Sequence, residues 1–144
     1  ALIFNPKLRR KFHAYLESCE LDLGHVFAFL AIEAAYTHGT EWLDQCLAYI
    51  QGNIDYVDEF LKLHTPKIKA IRPQASFLVW LDCREMGLAQ DALNDFFVDK
   101  AHLALNNGVA FGEEGEGFMR LNVASPRSVL EKAMKQLADA YAAL

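Results

Sequence analysis

The sequence predicts an α+β chain: one strand, three helices, and then a β-α-β-β-α unit. Three observations predict it. Apolar residues recur at spacings of three and four from Leu43 through Leu61, the period of helices. After Pro66 the pattern changes to aromatic and β-branched runs, the mark of strands. From Leu130 to Tyr141 a strong helical spacing returns. With 144 residues, 53% hydrophobic and 23% charged, the chain suffices for one folded domain, or for a small domain and a piece of another.

The elements follow in order. "ALIF", 1–4, reads as a continuous apolar strand of the parallel-sheet kind. The sequence opens on it without a Met, so a strand parted from its sheet, and hence a piece of a longer protein, is expected. Asn5-Pro6 then turns into a helix, because proline suits the first helical turn. Phe12, Tyr15 and Leu16 share one face of it, with Cys19 next in the series. A second helix is predicted from Val26 to His38, closed by Gly39. Its run "VFAFLAI" is too short to span a bilayer and reads as a helix buried on most sides. Thr40 is expected to cap a third helix, with Glu41 in the first turn where the helix dipole favours it. Leu43, Leu47, Ile50, Ile54, Val57 and Leu61 form its stripe, and Pro66 stops it. At the helical rise this element spans roughly 35 Å, a length suited to joining two bodies. Gly52 weakens its middle by about 1 kcal/mol relative to alanine and is a candidate bend.

Beyond Pro66, "ASFLVWLD", 75–82, is predicted as a strand. "REMGLAQDAL" turns through Gly87 into a helix with Leu93, Phe96, Phe97, Ala101 and Leu105 on one side. "GVAF", 108–111, reads as a short strand, followed by a glycine-rich acidic hairpin loop. Phe118, Met119, Leu121 and Val123 form the next strand, with Arg120 set among them. Ser128 and Glu131 read as a capping box for the last helix, in which Leu130, Ala133, Met134, Leu137, Ala138 and Tyr141 recur on one face.

Composition and motifs exclude several functions. The net charge of −5 and a single short basic cluster, "PKLRRK", argue against nucleic acid as a partner. Cys19, Cys46 and Cys83 are widely spaced with no C-x-x-C pair, as expected of reduced thiols in a cytoplasmic protein. The start shows neither a basic n-region nor a cleavage site, so no secretory leader is expected. The five histidines form no H-E-x-x-H, and no metal site is expected. Glu113, Glu114 and Glu116 lack the alternating ligand spacing of a calcium loop. "GEEGEG" resembles a phosphate loop on paper but joins two predicted strands and opens no helix.

Arg120 is the candidate with chemistry. An arginine on a half-buried strand needs an anion. Alternation puts Arg120 and Asn122 on one face, with Met119, Leu121 and Val123 on the other. The guanidinium fork fits a carboxylate with two parallel hydrogen bonds. On pattern alone that carboxylate is either an Asp or Glu of this chain, the default, or one brought by a ligand.

The segments "WLDQCLAYIQGNIDYV", "ASFLVWLD" and "FGEEGEGFMRLNVASPRSVLEKAMKQL", in this order, resemble the C-terminal part of a pyridoxal-phosphate (PLP) enzyme of the class I/II aminotransferase superfamily. The nearest subgroup is the MalY/PatB type, cystathionine β-lyase-like. The resemblance implies a fold-type-I α/β parent. Residues 1–39 would end its large cofactor domain, 40–64 would form a long interdomain helix, and 65–144 the small C-terminal domain. It implies that Arg120 binds the substrate α-carboxylate, which displaces the same-chain ion pair as the preferred reading. Asn122 would orient Arg120, and Arg127 would serve the strand-to-helix junction. The Schiff-base lysine and most cofactor contacts would lie upstream of "ALIF", so this chain alone is expected to be inactive and to hold no PLP tightly. The parent would be a homodimer acting on cystathionine or cysteine-type amino acids, releasing thiol, pyruvate and ammonia. A class I/II aminotransferase and a non-catalytic α+β binding module are the alternatives.

Overall fold

The computed structural model describes residues 3–21 and 24–144. Within these the chain forms two compact units, Ala1–Asp44 and Gln45–Leu144. The first two residues of the predicted "ALIF" strand lie outside the described residues, and residues 3 and 4 carry no strand.

The first unit holds two helices and the start of a third. Helix α1, Pro6–Ser18, begins where the Asn5 side-chain oxygen accepts from the Lys7 and Leu8 N–H groups, with Pro6 at the first helical position. Helix α2, Val26–His38, closes at Gly39 as expected. It was expected to be buried on most sides; instead none of its residues is buried among the described ones. Its apolar residues face outward all round, and the described residues of the unit supply no second layer to cover them. Helix α3, Thr40–His64, begins one residue earlier than expected. Gly39 takes the capping place, its carbonyl accepting from the Leu43 N–H, and Thr40 is already helical. Of its predicted stripe only Ile54, Val57 and Leu61 are buried.

The second unit is a sheet covered by helices on one face. Strands β1 (Lys69–Ile71), β2 (Leu78–Asp82), β3 (Asn106–Asn107) and β4 (Phe118–Asn122) form an antiparallel sheet in the order β1-β2-β4-β3. Strand β1 was not predicted, because three residues are too few to show alternation. Val79, Leu81, Met119 and Leu121 point into the core. They join Val57 and Leu61 of α3, Leu93, Phe96 and Phe97, and Leu130, Met134 and Leu137 of the last helix.

Three expected elements differ. The helix predicted through Leu105 ends early: α4 is Gln90–Asp95, continued by a π turn at Phe96–Lys100. The Ala101 N–H reaches back five residues to the Phe96 carbonyl, and adjacent Phe96 and Phe97 are both buried. "GVAF" is a 3-10 turn, Gly108–Phe111, with the strand lying just before it at Asn106–Asn107. The capping box does not form. Helix α5, Arg127–Ala142, starts two residues sooner with Pro126 at its cap, and the Arg127 N–H donates to the Tyr49 hydroxyl at 2.7 Å.

Candidate functional site

The uncovered face of the sheet carries the unusual residues. Strand register puts Ile71, Trp80, Arg120 and Asn106 in one row across all four strands. Directly opposed residues have Cβ atoms about 5 Å apart, so Trp80 and Asn106 flank Arg120.

The Arg120 guanidinium is held but not neutralised. Its Nη2 donates to the Asn106 side-chain oxygen at 2.9 Å. Its Cζ lies 4.3 Å from the centre of the Phe111 ring. Its Nε is buried without a hydrogen-bond partner. Among the described residues Arg120 makes no ion pair, whereas Arg72 pairs with Asp55 and Arg84 with Asp82. The default expectation, a same-chain Asp or Glu on Arg120, is therefore overturned. The hydrogen bond from Arg84 holds the Asp82 carboxyl below the ordinary aspartate range, against partial burial, which raises it. No such carboxylate meets Arg120.

Asn122 shares the Arg120 face by alternation, but its oxygen accepts from the Ala124 N–H at 2.9 Å. The amide on Arg120 is that of Asn106, which sits directly opposite, while Asn122 is opposite Leu78. Arg127 does serve the strand-to-helix junction. Its Nε donates to the buried Asn53 oxygen at 2.9 Å, and its guanidinium lies 4.7 Å from the Tyr56 ring. The Asn53 amide nitrogen in turn donates to the Val123 and Ser125 carbonyls.

An aromatic wall stands beside the guanidinium. Trp80 meets Phe111 and Phe118 edge to face, with centroids 5.4 and 6.3 Å apart. With Ile71, Glu114 and Gly115 these rings line a hollow of about 310 Å³. Asn106, Phe111 and Trp80 were absent from the sequence-based site. Strand register reveals Trp80 and Asn106, and reading "GVAF" as a strand concealed that Phe111 ends a 3-10 turn against Arg120.

Other chemistry is scarce. The described residues hold no cluster of three His, Cys, Asp or Glu side chains fit for a metal. Burial pushes the Cys83 thiol up to about 12, so it is a poor nucleophile at neutral pH. No helix of the described residues is long and apolar enough to cross a membrane. All eight lysines are exposed, so the described residues offer PLP no desolvated lysine. This chain's own residues do not fit the whole cofactor; they fit a ligand carboxylate.

No family model matches the chain. Solved structures and sequence relatives do. Cystalysin from Treponema denticola, whose structure contains a pyridoxal 5'-phosphate cofactor, superposes with a TM-score of 0.93 at 30% identity, over 99% of this chain and 36% of that one. The fold is thus that of part of a fold-type-I PLP enzyme. Cystathionine beta-lyase PatB of Bacillus subtilis (strain 168) is 38% identical over 95% of this chain. Protein MalY of Escherichia coli (strain K12) is 36% identical over 91% of it. The chain belongs to the MalY/PatB cystathionine β-lyase family within the PLP-dependent aminotransferase superfamily. It spans about 36% of the length of the PatB relative and 35% of MalY.

Proposed function

We propose that this chain supplies the α-carboxylate subsite of a PLP-dependent carbon–sulfur β-lyase. The whole enzyme cleaves cystathionine or a cysteine-type amino acid to a thiol (or hydrogen sulfide), pyruvate and ammonia. The observation that carries this reading is Arg120: partly buried, braced by a neutral amide and a ring, and unpaired with any carboxylate. Nη1 and the second hydrogen of Nη2 are left for an incoming carboxylate, which they grip end-on with two parallel hydrogen bonds. That grip fixes how the substrate's Cα presents itself for reaction, a positioning contribution. In the same reading, 1–39 ends the large cofactor domain, 40–64 links the domains, and 65–144 is the small domain of a cytoplasmic homodimer. The lysine that carries the cofactor comes from outside this chain, and the chain by itself is inactive.

The full-length enzyme incubated with L-cystathionine tests the chemistry. Pyruvate formed with no 2-oxo-acid acceptor supports the lyase; strict dependence on an acceptor means an aminotransferase instead. Arg120→Lys in the same enzyme tests the subsite. It replaces a fork with a point charge, and kcat/KM should fall roughly 10- to 100-fold, the worth of a charge-assisted hydrogen bond or two. Unchanged kinetics would remove Arg120 from the site.

A further inference from the structure

We infer that Phe111 is a positioning residue for the carboxylate grip of Arg120, and that the segment 107–117 is built to hold it there. The inference rests on the reading of Arg120 just proposed. Phe111 is 51% exposed, so core packing does not explain a phenylalanine at this place. One of its faces nevertheless lies on the guanidinium, and the ring stands perpendicular to that of Trp80. Guanidinium planes stack on rings, so the ring fixes the plane of the fork while Asn106 fixes its rotation. Two constraints are what a bidentate donor needs to be pre-set for a ligand.

The segment carrying Phe111 is closed at both ends and in the middle. At its ends, Gln90 of α4 donates to the Asn107 side-chain oxygen and accepts from the Gly117 N–H, each at 2.6 Å. The same Asn107 oxygen takes the Val109 N–H and starts the turn that delivers Phe111. In the middle, Gly108 and Gly115 lie back to back. A methyl on either would overlap the carbonyl oxygen of the other. The segment 107–117 is thus a fastened platform, and its one aromatic ring rests on Arg120.

A double-mutant cycle in the full-length, cofactor-loaded enzyme tests this. It combines Phe111→Leu, Phe111→Tyr, Arg120→Lys and the Phe111→Leu/Arg120→Lys pair. Two quantities are read: KM for L-cystathionine, and the inhibition constant of 3-(methylthio)propanoate. That acid keeps the carboxylate and thioether but lacks the amino group, so it cannot condense with the cofactor. Phe111→Leu should raise both roughly tenfold with a smaller change in kcat. Phe111→Tyr, which keeps the ring, should restore both to within about twofold. In the Arg120→Lys background Phe111→Leu should add less than about twofold, because its route of action is gone. An undiminished tenfold effect in that background would overturn the inference. So would unchanged constants for Phe111→Leu alongside raised ones for Arg120→Lys. If neither single variant moves either constant, it is the carboxylate reading of Arg120 that fails. Should Phe111→Leu not fold, Phe111→Met takes its place in the cycle, with the same outcomes deciding.

Discussion

Residues of the unit Ala1–Asp44 and those of Gln45–Leu144 come from one chain and meet different fates. In the second unit seventeen apolar side chains, from Ile54 to Leu137, form one buried cluster. In the first no described residue is buried, although α2 is the most apolar helix of the chain. Helix formation explains why both look orderly from the sequence. It needs only caps, propensity and hydrogen bonds within the segment. A core needs a second layer, and the sheet of the second unit provides one. A helix apolar all round belongs inside a larger body, and the partners of α2 are not among the described residues.

The contrast can be broken by substitution. Phe97, fully buried, is the most demanding place: Phe97→Ala should lower stability by about 3–5 kcal/mol in a urea titration. A loss below about 1 kcal/mol would mean the second unit is not packed as described. Asn53→Ala comes next. It strands the Val123 and Ser125 carbonyls and the Arg127 Nε, and should cost about 1–3 kcal/mol in the same titration. Asp82 is smaller. Its folded carboxyl is held below the ordinary value, so its contribution is present above about pH 4 and fades as pH falls through the lowered value. Asp82→Asn should therefore flatten the acid limb of the stability curve, by less than about 1 kcal/mol, since Arg84 is mostly exposed. Leu30→Gln on α2 is the smallest. Leu30 is 58% exposed, and leucine and glutamine have similar helix propensity. Its effect on stability in the urea titration should stay within about 0.5 kcal/mol, and a large loss would show that α2 is covered after all.

Much of the fold was legible in the sequence because it is written in local periodicity. The spacing of Leu130, Met134 and Leu137 gave α5, and the alternation around Arg120 gave β4 and its two faces. What stayed illegible depended on contacts far apart in the chain. Strand β1 exists because it pairs with β2, not because "KAI" favours a strand. Arg127 takes the first place in α5 because Tyr49, far back in α3, accepts its N–H, and the Ser128–Glu131 signal loses to that contact. The site divides the same way. Arg120 is conspicuous as a charge among apolar neighbours. Asn106 became its partner only through register, and Asn122, on the right face of the right strand, is two residues out of line.

The perpendicular packing of Trp80 and Phe111 has an optical consequence. The chain has two tryptophans, and the other, Trp42, is 70% exposed. A Trp42→Phe chain emits from a single indole that touches the ring resting on Arg120. Its fluorescence then watches the platform directly, without a label and without waiting for product.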